Sequence, residues 1–490
     1  MLIEEAALSK ASSVPLKAEG GVEVKKTSLE TSPSIAPSAK GTADKAARSK
    51  TGTIKIASSK KAAPRPVVPT EASGTAQVQK SSDTAALQTS VPIPKTSNPK
   101  PVKKTHPKGT AWKTSWMFKC TTGPPVATIE YSSLLPDPTP VTSTSSFTTL
   151  CSYNWQTTGS IFVPGRPPKW TPPPLPATLP ADTGRHFVDQ NAYHVPKYPF
   201  EPAFQALSIM NPNISLSAVD IITNRNSLRK LLDFSAGKRL DPFAMGLDMI
   251  NETLVLSRME VSARQMVRGG PNSGYGHNFE KAFTTAYEGM DGSSSHHRVI
   301  RYHIGPLDCV VRFEVDAYFD DGAWEREDNT TEDPTNAITT AITKLNLANP
   351  YPSTKHTTKV IQKGTPVPSS LLAEIKAKRA GRLTEALPQL WFGRTPYFMN
   401  GNHVKGVVSS VTMVHAATEF AQWEALHQER LCKMVGLLGW LKEVVRGIKR
   451  GEAVLVYDEK GGALKVYARK EGAGGGGGVL PKGWVAAFWR

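Results

Sequence analysis

The sequence predicts a mixed α/β (α+β) domain, with a mainly antiparallel β-sheet core flanked by helices, after a long disordered basic N-terminal arm. Alternating apolar residues on both sides of Gly305-Pro306 indicate a β-hairpin. The segment from Phe420 to Val445 has the apolar period of an amphipathic helix. Residues 1–120 have hardly any aromatic side chain, so they bury too little apolar surface to offset the entropy lost on folding.

The predicted arm carries most of the net charge. Residues 1–120 hold 20 Lys and Arg against 8 Asp and Glu, a balance of +12 out of +17 for the whole chain. Such an arm attracts polyanions such as RNA without sequence specificity, or it is simply a solvated linker. The basic clusters Lys60-Lys61 and Lys103-Lys104 are compatible with nuclear import, so we expect a nuclear protein, with the cytoplasm as the alternative.

Two classes of protein are disfavoured. No apolar run reaches the roughly 18 residues that a membrane span needs, and the acidic start is unlike that of a secretory signal. The four cysteines are scattered without CxxC spacing, so we expect no zinc site and a reducing compartment.

Composition divides the rest of the chain into three segments. Residues 121–185 contain repeated Pro-Pro pairs and predict an extended lead-in, with order beginning near residue 145. Residues 186–450 look globular and form the main domain, with a polar insertion at about 320–366. Residues 451–490 predict a hairpin followed by a flexible Gly-rich tail.

Local patterns predict the elements of the main domain. A basic helix is expected at Ser227 to Phe234 and a strand at Thr253 to Met259. Phe279, Ala282, Phe283 and Ala286 repeat at the helical period. The run from Leu371 to Leu387 has two interpretations, because its strong helix formers favour an exposed helix whereas a strand would place Glu374 and Lys376 on one face.

The acidic pair Glu314 and Asp316 is the sharpest candidate for chemistry. On the second strand of the hairpin these carboxylates share one face about 7 Å apart, within reach of a hard divalent cation. The alternative is a solvated strand face. Glu280 lies beside the apolar stripe of its helix, although an acidic residue in a first helical turn also suits the helix dipole.

Basic residues complete the candidate site. Lys376 would be placed to orient or deprotonate a metal-bound water. Arg225 and Arg229 lie at a helix start, which suits phosphate, although such residues are often only solvated. Four carboxylates with one Lys and one Arg would make a two-metal phosphodiester site.

Taken in order, six segments between residues 220 and 406 resemble the Rai1/DXO family of decapping nucleases, a PD-(D/E)XK-like branch, with this chain as a divergent member. The order is more specific than any single segment. The segments are Ile222–Leu232 with Arg225, Leu254–Glu260, Gly276–Glu280, Val299–Arg301 with Phe313–Asp316, Glu374–Lys376, and Gln389–Phe392 with Pro396 and Gly401.

The resemblance implies a metal-dependent hydrolase of RNA 5′ ends, active in decapping, pyrophosphate removal or deNADding, in some members with 5′ to 3′ exonuclease activity. It also makes a Rat1-like exoribonuclease a candidate partner, although the sequence does not decide whether one is bound. By the same resemblance, Mg²⁺ or Mn²⁺ is bound by Glu280, Glu314, Asp316 and Glu374, the catalytic centre is lined by Lys376 and Gln389, and Arg225 holds the 5′ phosphates.

Three alternatives remain at the level of sequence. A catalytically weakened homologue would keep the fold and bind only RNA ends or a partner. A purely structural scaffold is the second. A prenyl diphosphate synthase is disfavoured, because Asp320-Asp321 is followed by Gly322 rather than by the rest of a DDxxD motif.

Overall fold

The structure is a computed structural model that describes residues 111–269, 273–322, 324, 358–379, 381–473 and 479–490. The predicted arm up to residue 110, most of the predicted insertion and the glycine run 474–478 lie outside these ranges. Among the described residues, no helix combines the length and apolar character that crossing a membrane requires.

Runs of strands separate most of the helices along the described chain. The α-helices are α1 (Ala111–Thr114), α2 (Gln190–His194), α3 (Glu201–Met210), α4 (Arg225–Ser235), α5 (Gly276–Phe283), α6 (Leu383–Gly393), α7 (Phe420–Arg446) and α8 (Lys482–Phe488). The strands are β1 (Thr121–Ile129), β2 (Thr148–Gln156), β3 (Ile161–Pro164), β4 (Lys169–Trp170), β5 (Ala177–Thr178), β6 (Arg185–Phe187), β7 (Ile221–Asn224), β8 (Phe243–Ile250), β9 (Thr253–Met259), β10 (Met266–Arg268), β11 (Thr284–Thr285), β12 (Ser293–Ile304), β13 (Leu307–Val315), β14 (Ala317–Tyr318), β15 (Val360–Lys363), β16 (Leu372–Ala377), β17 (Tyr397–Val404), β18 (Val407–His415), β19 (Glu452–Tyr457) and β20 (Leu464–Arg469).

Two large sheets and a small one organise these strands. The large sheet has the order β1-β20-β19-β8-β9-β7-β13-β12-β2-β3-β15, the second β11-β4-β14-β16-β17-β18-β5, and the small one pairs β10 with β6. In the large sheet, only the β7–β9, β7–β13 and β3–β15 pairs are parallel. The predicted α+β class with a mainly antiparallel core is confirmed.

The large sheet is covered on both faces. Ile221 and Val311 pack with α4, α6 and α7 in one buried cluster. Ile222 and Val310, their chain neighbours, pack with α3 and α8 in another. Successive strand residues point to opposite faces, so β7 and β13 each supply both clusters.

On the N-terminal side, described structure extends beyond the predicted main domain. The described residues begin at 111, ahead of the expected start near 145, and Met117 is buried. Within the predicted lead-in, β2 pairs with β12 inside the large sheet, with β3 and β15 beyond it. The first of the proline pairs that suggested an extended segment, Pro124-Pro125, lies in edge strand β1. The register shifts there between Thr122 and Ala127, as an edge strand tolerates.

The C-terminal segment also differs from its prediction. The hairpin around Gly461 is confirmed as β19 and β20, but it extends the large sheet. Helix α8 is not a loose tail, because Trp484 and Phe488 are buried in the α3 cluster. These aromatic side chains follow the glycine run, and their burial explains why the last residues fold back.

Several element predictions are confirmed, with shifted ends. The predicted basic helix is α4, the predicted strand is β9, and the long amphipathic helix is α7 with all its predicted apolar stripe buried. The Phe279 helix ends at Phe283, so Ala286 lies outside it. The run from Leu371 to Leu387, which had two interpretations, forms strand β16 first, and a helix begins only at Leu383.

Candidate active site

The β12–β13 hairpin supplies the first two carboxylates. Ile304 pairs with Leu307 across the turn, and this register continues to His297 opposite Glu314. Phe313 and Val315 join the core, so Glu314 points to the opposite face, as predicted. Asp316 follows directly, before β14 crosses into the second sheet.

Strand β16 brings a third carboxylate and a lysine to the same place. Its pairing with β14 aligns Ala373 with Ala317, and the Ile375 N–H donates to Asp316 Oδ2 at 2.9 Å. Lys376 Nζ donates to Glu374 Oε1 and lies 3.7 Å from Asp316 Oδ2. The predicted convergence of Glu374 and Lys376 on Asp316 is therefore present.

Helices α4 and α6 hold Glu374 from the other side. Gln389 Nε2 donates to Glu374 Oε1, and Arg229 Nη1 donates to Gln389 Oε1 at 2.9 Å. Arg225 Nη1 lies 3.3 Å from Glu374 Oε2, but this ion pair lacks hydrogen-bond geometry. Among the residues that the structure describes, the buried Nη1 atom has no hydrogen-bond partner. Its guanidinium packs 5.2 Å from the Phe313 ring centroid.

Helix α5 contributes Glu280. The ring of Phe279 is fully buried with Trp170 and Phe283 at 6.0 and 4.2 Å between centroids. This anchor leaves Glu280 in the wall of a cleft of about 310 Å³. Glu314, Gln389 and both predicted arginines line the same cleft. Glu374 does not line it but contacts Gln389 and Arg225 of its wall, and Lys376 joins Glu374 to Asp316 behind that wall.

Burial and crowding perturb the carboxylates. Burial, followed by the charges of Asp316 and Glu314, raises the pKa of Glu280 to about 9. Burial and the Glu374 charge raise the pKa of Asp316 to about 7. Glu314 is accessible from the cleft, yet the surrounding protein still raises its pKa through desolvation. Crowded acids with raised pKa values are typical of functional sites.

Glu374 and Lys376 form the opposite case. Burial alone would raise the pKa of Glu374, but the charges of Lys376 and Arg225 hold it below its usual value. Burial would lower the pKa of Lys376, but Glu374 and Asp316 raise it well above its usual value. This pair is therefore ionised at neutral pH.

The donor chemistry of the site fits a divalent cation. Mg²⁺ and Mn²⁺ take carboxylate oxygens as ligands, and positive charge would relieve the repulsion that raises the pKa of Glu280 and Asp316. Within the described residues, however, no three His, Cys, Asp or Glu side chains are grouped as ion ligands. In this conformation, Glu374 is held by Lys376 and Gln389 instead.

Further residues line the cleft that were not predicted. His297 faces it, with a pKa lowered to about 3 by burial and then by the charge of Arg312. Asp189 caps α2 by accepting from the Asn191 N–H at 3.0 Å, and Arg258 lines the same wall. The position of His297 could have been predicted from the sequence, because a two-residue hairpin turn fixes the register that places His297 opposite Glu314.

A protein-family model described as a domain of unknown function (DUF8563) matches residues 126–489. No curated protein sequence matches the chain significantly.

Similar solved structures include Rai1 from S. pombe, with 13% identity, 70% of this chain and 99% of that chain covered, and a TM-score of 0.47. Rai1 from Scheffersomyces stipitis has 13% identity, 74% and 99% coverage and a TM-score of 0.46. Candida albicans Rai1, solved with pU5-Mn²⁺, has 13% identity, 74% and 98% coverage and a TM-score of 0.42. At this level of similarity, activity and substrate have to be derived from the site's own residues.

Proposed function

The chain belongs to the DUF8563 family, described as a domain of unknown function, and we propose that it is a metal-dependent hydrolase acting on the 5′ ends of RNA. One observation carries the proposal. Acidic side chains from α5, β13 and β16 converge beside one lysine and two arginines. Glu280, Glu314 and the arginines line one cleft, and Glu374 and Lys376 lie directly behind its wall. Separate segments are brought together there at the cost of desolvated, mutually repelling charges, which is the pattern expected of a site selected for chemistry.

The arginines are placed to hold phosphate. Arg225 and Arg229 come from the first turns of α4 and line the cleft. Within the described part of the chain, the buried Nη1 atom of Arg225 also has no hydrogen-bond partner. A phosphate oxygen is the acceptor that such a rigid, planar donor fits best.

Lys376 would orient the attacking water. Its raised pKa keeps the Nζ atom protonated at neutral pH, so it donates hydrogen bonds and does not accept the proton. Its position between Glu374 and Asp316 also lets it stabilise negative charge that develops at the phosphorus.

The carboxylates Glu280, Glu314, Asp316 and Glu374 would hold Mg²⁺ or Mn²⁺. When bound, the ion supplies a Lewis acid and an activated water. Gln389 would fix the side chains of Glu374 and Arg229 relative to each other, because it is hydrogen-bonded to both.

The cleft size and the motif order support the substrate class. A volume of about 310 Å³ suits a nucleotide-sized ligand, since small-ligand pockets run from about 300 to 1,000 Å³. The six ordered motifs of the decapping nucleases support an RNA 5′ end in particular. A Rat1-like partner and a nuclear location belong to the same proposal.

The proposal is tested by incubating the purified chain with 5′-triphosphate, capped and NAD-capped RNAs in Mn²⁺. We expect the wild type to release the 5′ group from at least one of them, and Asp316→Ala to be slower by orders of magnitude. Thermal unfolding in EDTA controls for folding, since Asp316 contributes repulsion when no metal is bound. Equal rates for both proteins, or turnover in EDTA, would refute the proposal.

A second candidate is a binding-only homologue that grips RNA ends or a partner. Two observations favour it. Lys376 and Gln389 both donate hydrogen bonds to Glu374 Oε1, one of the two carboxylate oxygens that could bind a metal ion. In the described part of the chain, no three His, Cys, Asp or Glu side chains are grouped as metal ligands. Tight binding of 5′-phosphorylated RNA without any Mn²⁺-dependent product would select this candidate.

A further inference from the structure

Helix α5, which carries Glu280, has no cap from its own sequence. Its N-cap residue is Tyr275, whose side chain accepts no hydrogen bond from the helix. The first N–H groups of a helix need acceptors from outside the helix. In an eight-residue helix, poorly satisfied N–H groups would leave the first turn free to open.

Asp182 supplies the missing acceptors from a distant segment. Its Oδ1 accepts from the Asn278 N–H at 2.9 Å and its Oδ2 from the His277 N–H at 3.2 Å. These are the N2 and N3 positions that a helix cap normally serves. The Asp182 side chain is 8% exposed, so water competes little for its oxygens.

The surrounding segment strengthens this contact. The Asp182 N–H donates to the Gly274 carbonyl oxygen at 2.8 Å, and Asn278 Nδ2 donates to the carbonyl oxygens of Pro180 and Ala181, each at 3.1 Å. The rings of His186 and His277 stack with centroids 3.6 Å apart. Residues 180–186 therefore hold both the backbone and the side chains of the first turn of α5.

We propose that Asp182 is a positioning residue that fixes helix α5 and thereby sets the place of Glu280 in the cleft. The expected effect on Mn²⁺ binding rests on the proposed function, whereas the effect of Asp182 on helix α5 does not. Asp182 reaches Glu280 through the helix backbone, and it is not one of the cleft-lining residues, whereas His277 and Glu280 both are. A shift in the first turn would move Glu280 relative to Glu314 and Asp316, whose strand is held independently by its neighbours.

The test compares full-length wild type with Asp182→Ala, Asp182→Asn and a matched control, Asp308→Ala. Asp308 is also 8% exposed and accepts from Arg301 Nε at 3.0 Å, but it lies at the turn end of the hairpin. Hydrogen–deuterium exchange of residues 277–283 reports the helix, calorimetric titration with Mn²⁺ reports the cleft, and melting in EDTA reports overall stability.

We expect Asp182→Ala to accelerate exchange in α5 and to weaken Mn²⁺ binding, each by about tenfold. Asp182→Asn should recover part of both effects, because its amide oxygen still accepts one hydrogen bond. Asp308→Ala should change only the melting temperature.

Unchanged exchange in α5 of Asp182→Ala, or equal effects of Asp308→Ala on exchange and Mn²⁺ affinity, would overturn the inference. If the wild type binds no Mn²⁺, the proposed function fails. The exchange comparison then still decides whether Asp182 fixes α5.

Discussion

The carboxylates of the site differ in how far nearby cations offset the effects of burial and repulsion. Glu374 has Lys376 and Arg225 beside it, whereas Glu280 and Asp316 keep raised pKa values from burial and mutual repulsion. The ionised forms of Glu280 and Asp316 therefore destabilise the metal-free fold. Such a conflict between function and stability is expected at a catalytic site.

The first prediction concerns Glu280 and pH. Its pKa is about 9 in the folded protein and about 4.3 in an unfolded chain, so between these values the folded state binds more protons. The free energy of unfolding of the metal-free wild type should therefore fall as pH rises through this window. Glu280→Gln should flatten that fall, as measured by urea unfolding in EDTA from pH 5 to 9. A variant with the slope of the wild type would contradict the raised pKa.

Lys376 gives the second prediction. Because its ammonium occupies the space beside Glu374 and Asp316, Lys376→Met should bind Mn²⁺ at least as tightly as the wild type. Its turnover of 5′-triphosphate RNA should fall by about a hundredfold or more, since an oriented donor to the transition state is lost. Calorimetry and single-turnover kinetics check the two effects separately. Loss of Mn²⁺ binding in this variant would show that Lys376 supports the ligands structurally.

Sequence reasoning reached some of these residues and not others, for physical reasons. Glu314 and Asp316 follow from strand alternation, and His297 was within reach of the hairpin register. Asp182 was not, because its contact with α5 joins residues about 95 positions apart, and no local pattern encodes that distance.

At the scale of elements, strand β16 shows where propensity loses to tertiary context. Its residues are mostly helix formers, yet β14 and β17 pair with it on both sides. Helix propensities differ by only a few tenths of a kcal/mol per residue, less than the backbone pairing and burial that a central strand gains. The sequence left both states open because the partner strands are distant in the chain.

The third prediction tests how closely α5 packs on this sheet. A Cβ on Gly401 of β17 would lie 2.2 Å from the Phe279 ring, so Gly401→Ala must displace the helix that carries Glu280. We expect a loss of about 1 to 3 kcal/mol in unfolding free energy together with weaker Mn²⁺ binding.

Gly439 of α7 is the matched control, since a Cβ there has nothing within 4 Å. Gly439→Ala should be neutral or stabilise by up to about 1 kcal/mol, because alanine favours a helix interior. If Gly401→Ala were equally harmless in denaturant unfolding and in Mn²⁺ titration, the tight contact between α5 and β17 would be refuted.

At the scale of the whole molecule, both ends of the described chain complete the large sheet. The pairing of β1 with β20 closes one side, and β2 and β3 extend the other. From composition alone, we predicted too little regular structure in these end segments. Proline pairs and glycine runs lower their average apolar content, although many of the remaining residues are aromatic or β-branched. The arm up to residue 110 and its nuclear role stay predictions.

The fourth prediction concerns the last helix. Phe488 is fully buried and packs edge-on against Phe204 of α3 at 5.5 Å, while Trp489 Nε1 donates to Thr253 Oγ1 at 2.8 Å. Phe488→Ala should cost about 3 to 5 kcal/mol of unfolding free energy. The exposed Lys482→Ala should stay within about 0.5 kcal/mol of the wild type. Similar urea midpoints for both variants would mean that α8 does not belong to the core.

The position of a bound ion would test most directly whether these carboxylates form a metal centre. Crystals of the full chain soaked in Mn²⁺ and measured at the manganese absorption edge should show anomalous density in the cleft, against the carboxylates of Glu314 and Asp316. Soaked Asp316→Ala crystals should lose that density with the fold unchanged. Manganese bound only elsewhere, or an empty cleft in protein that still hydrolyses RNA ends, would contradict the assignment.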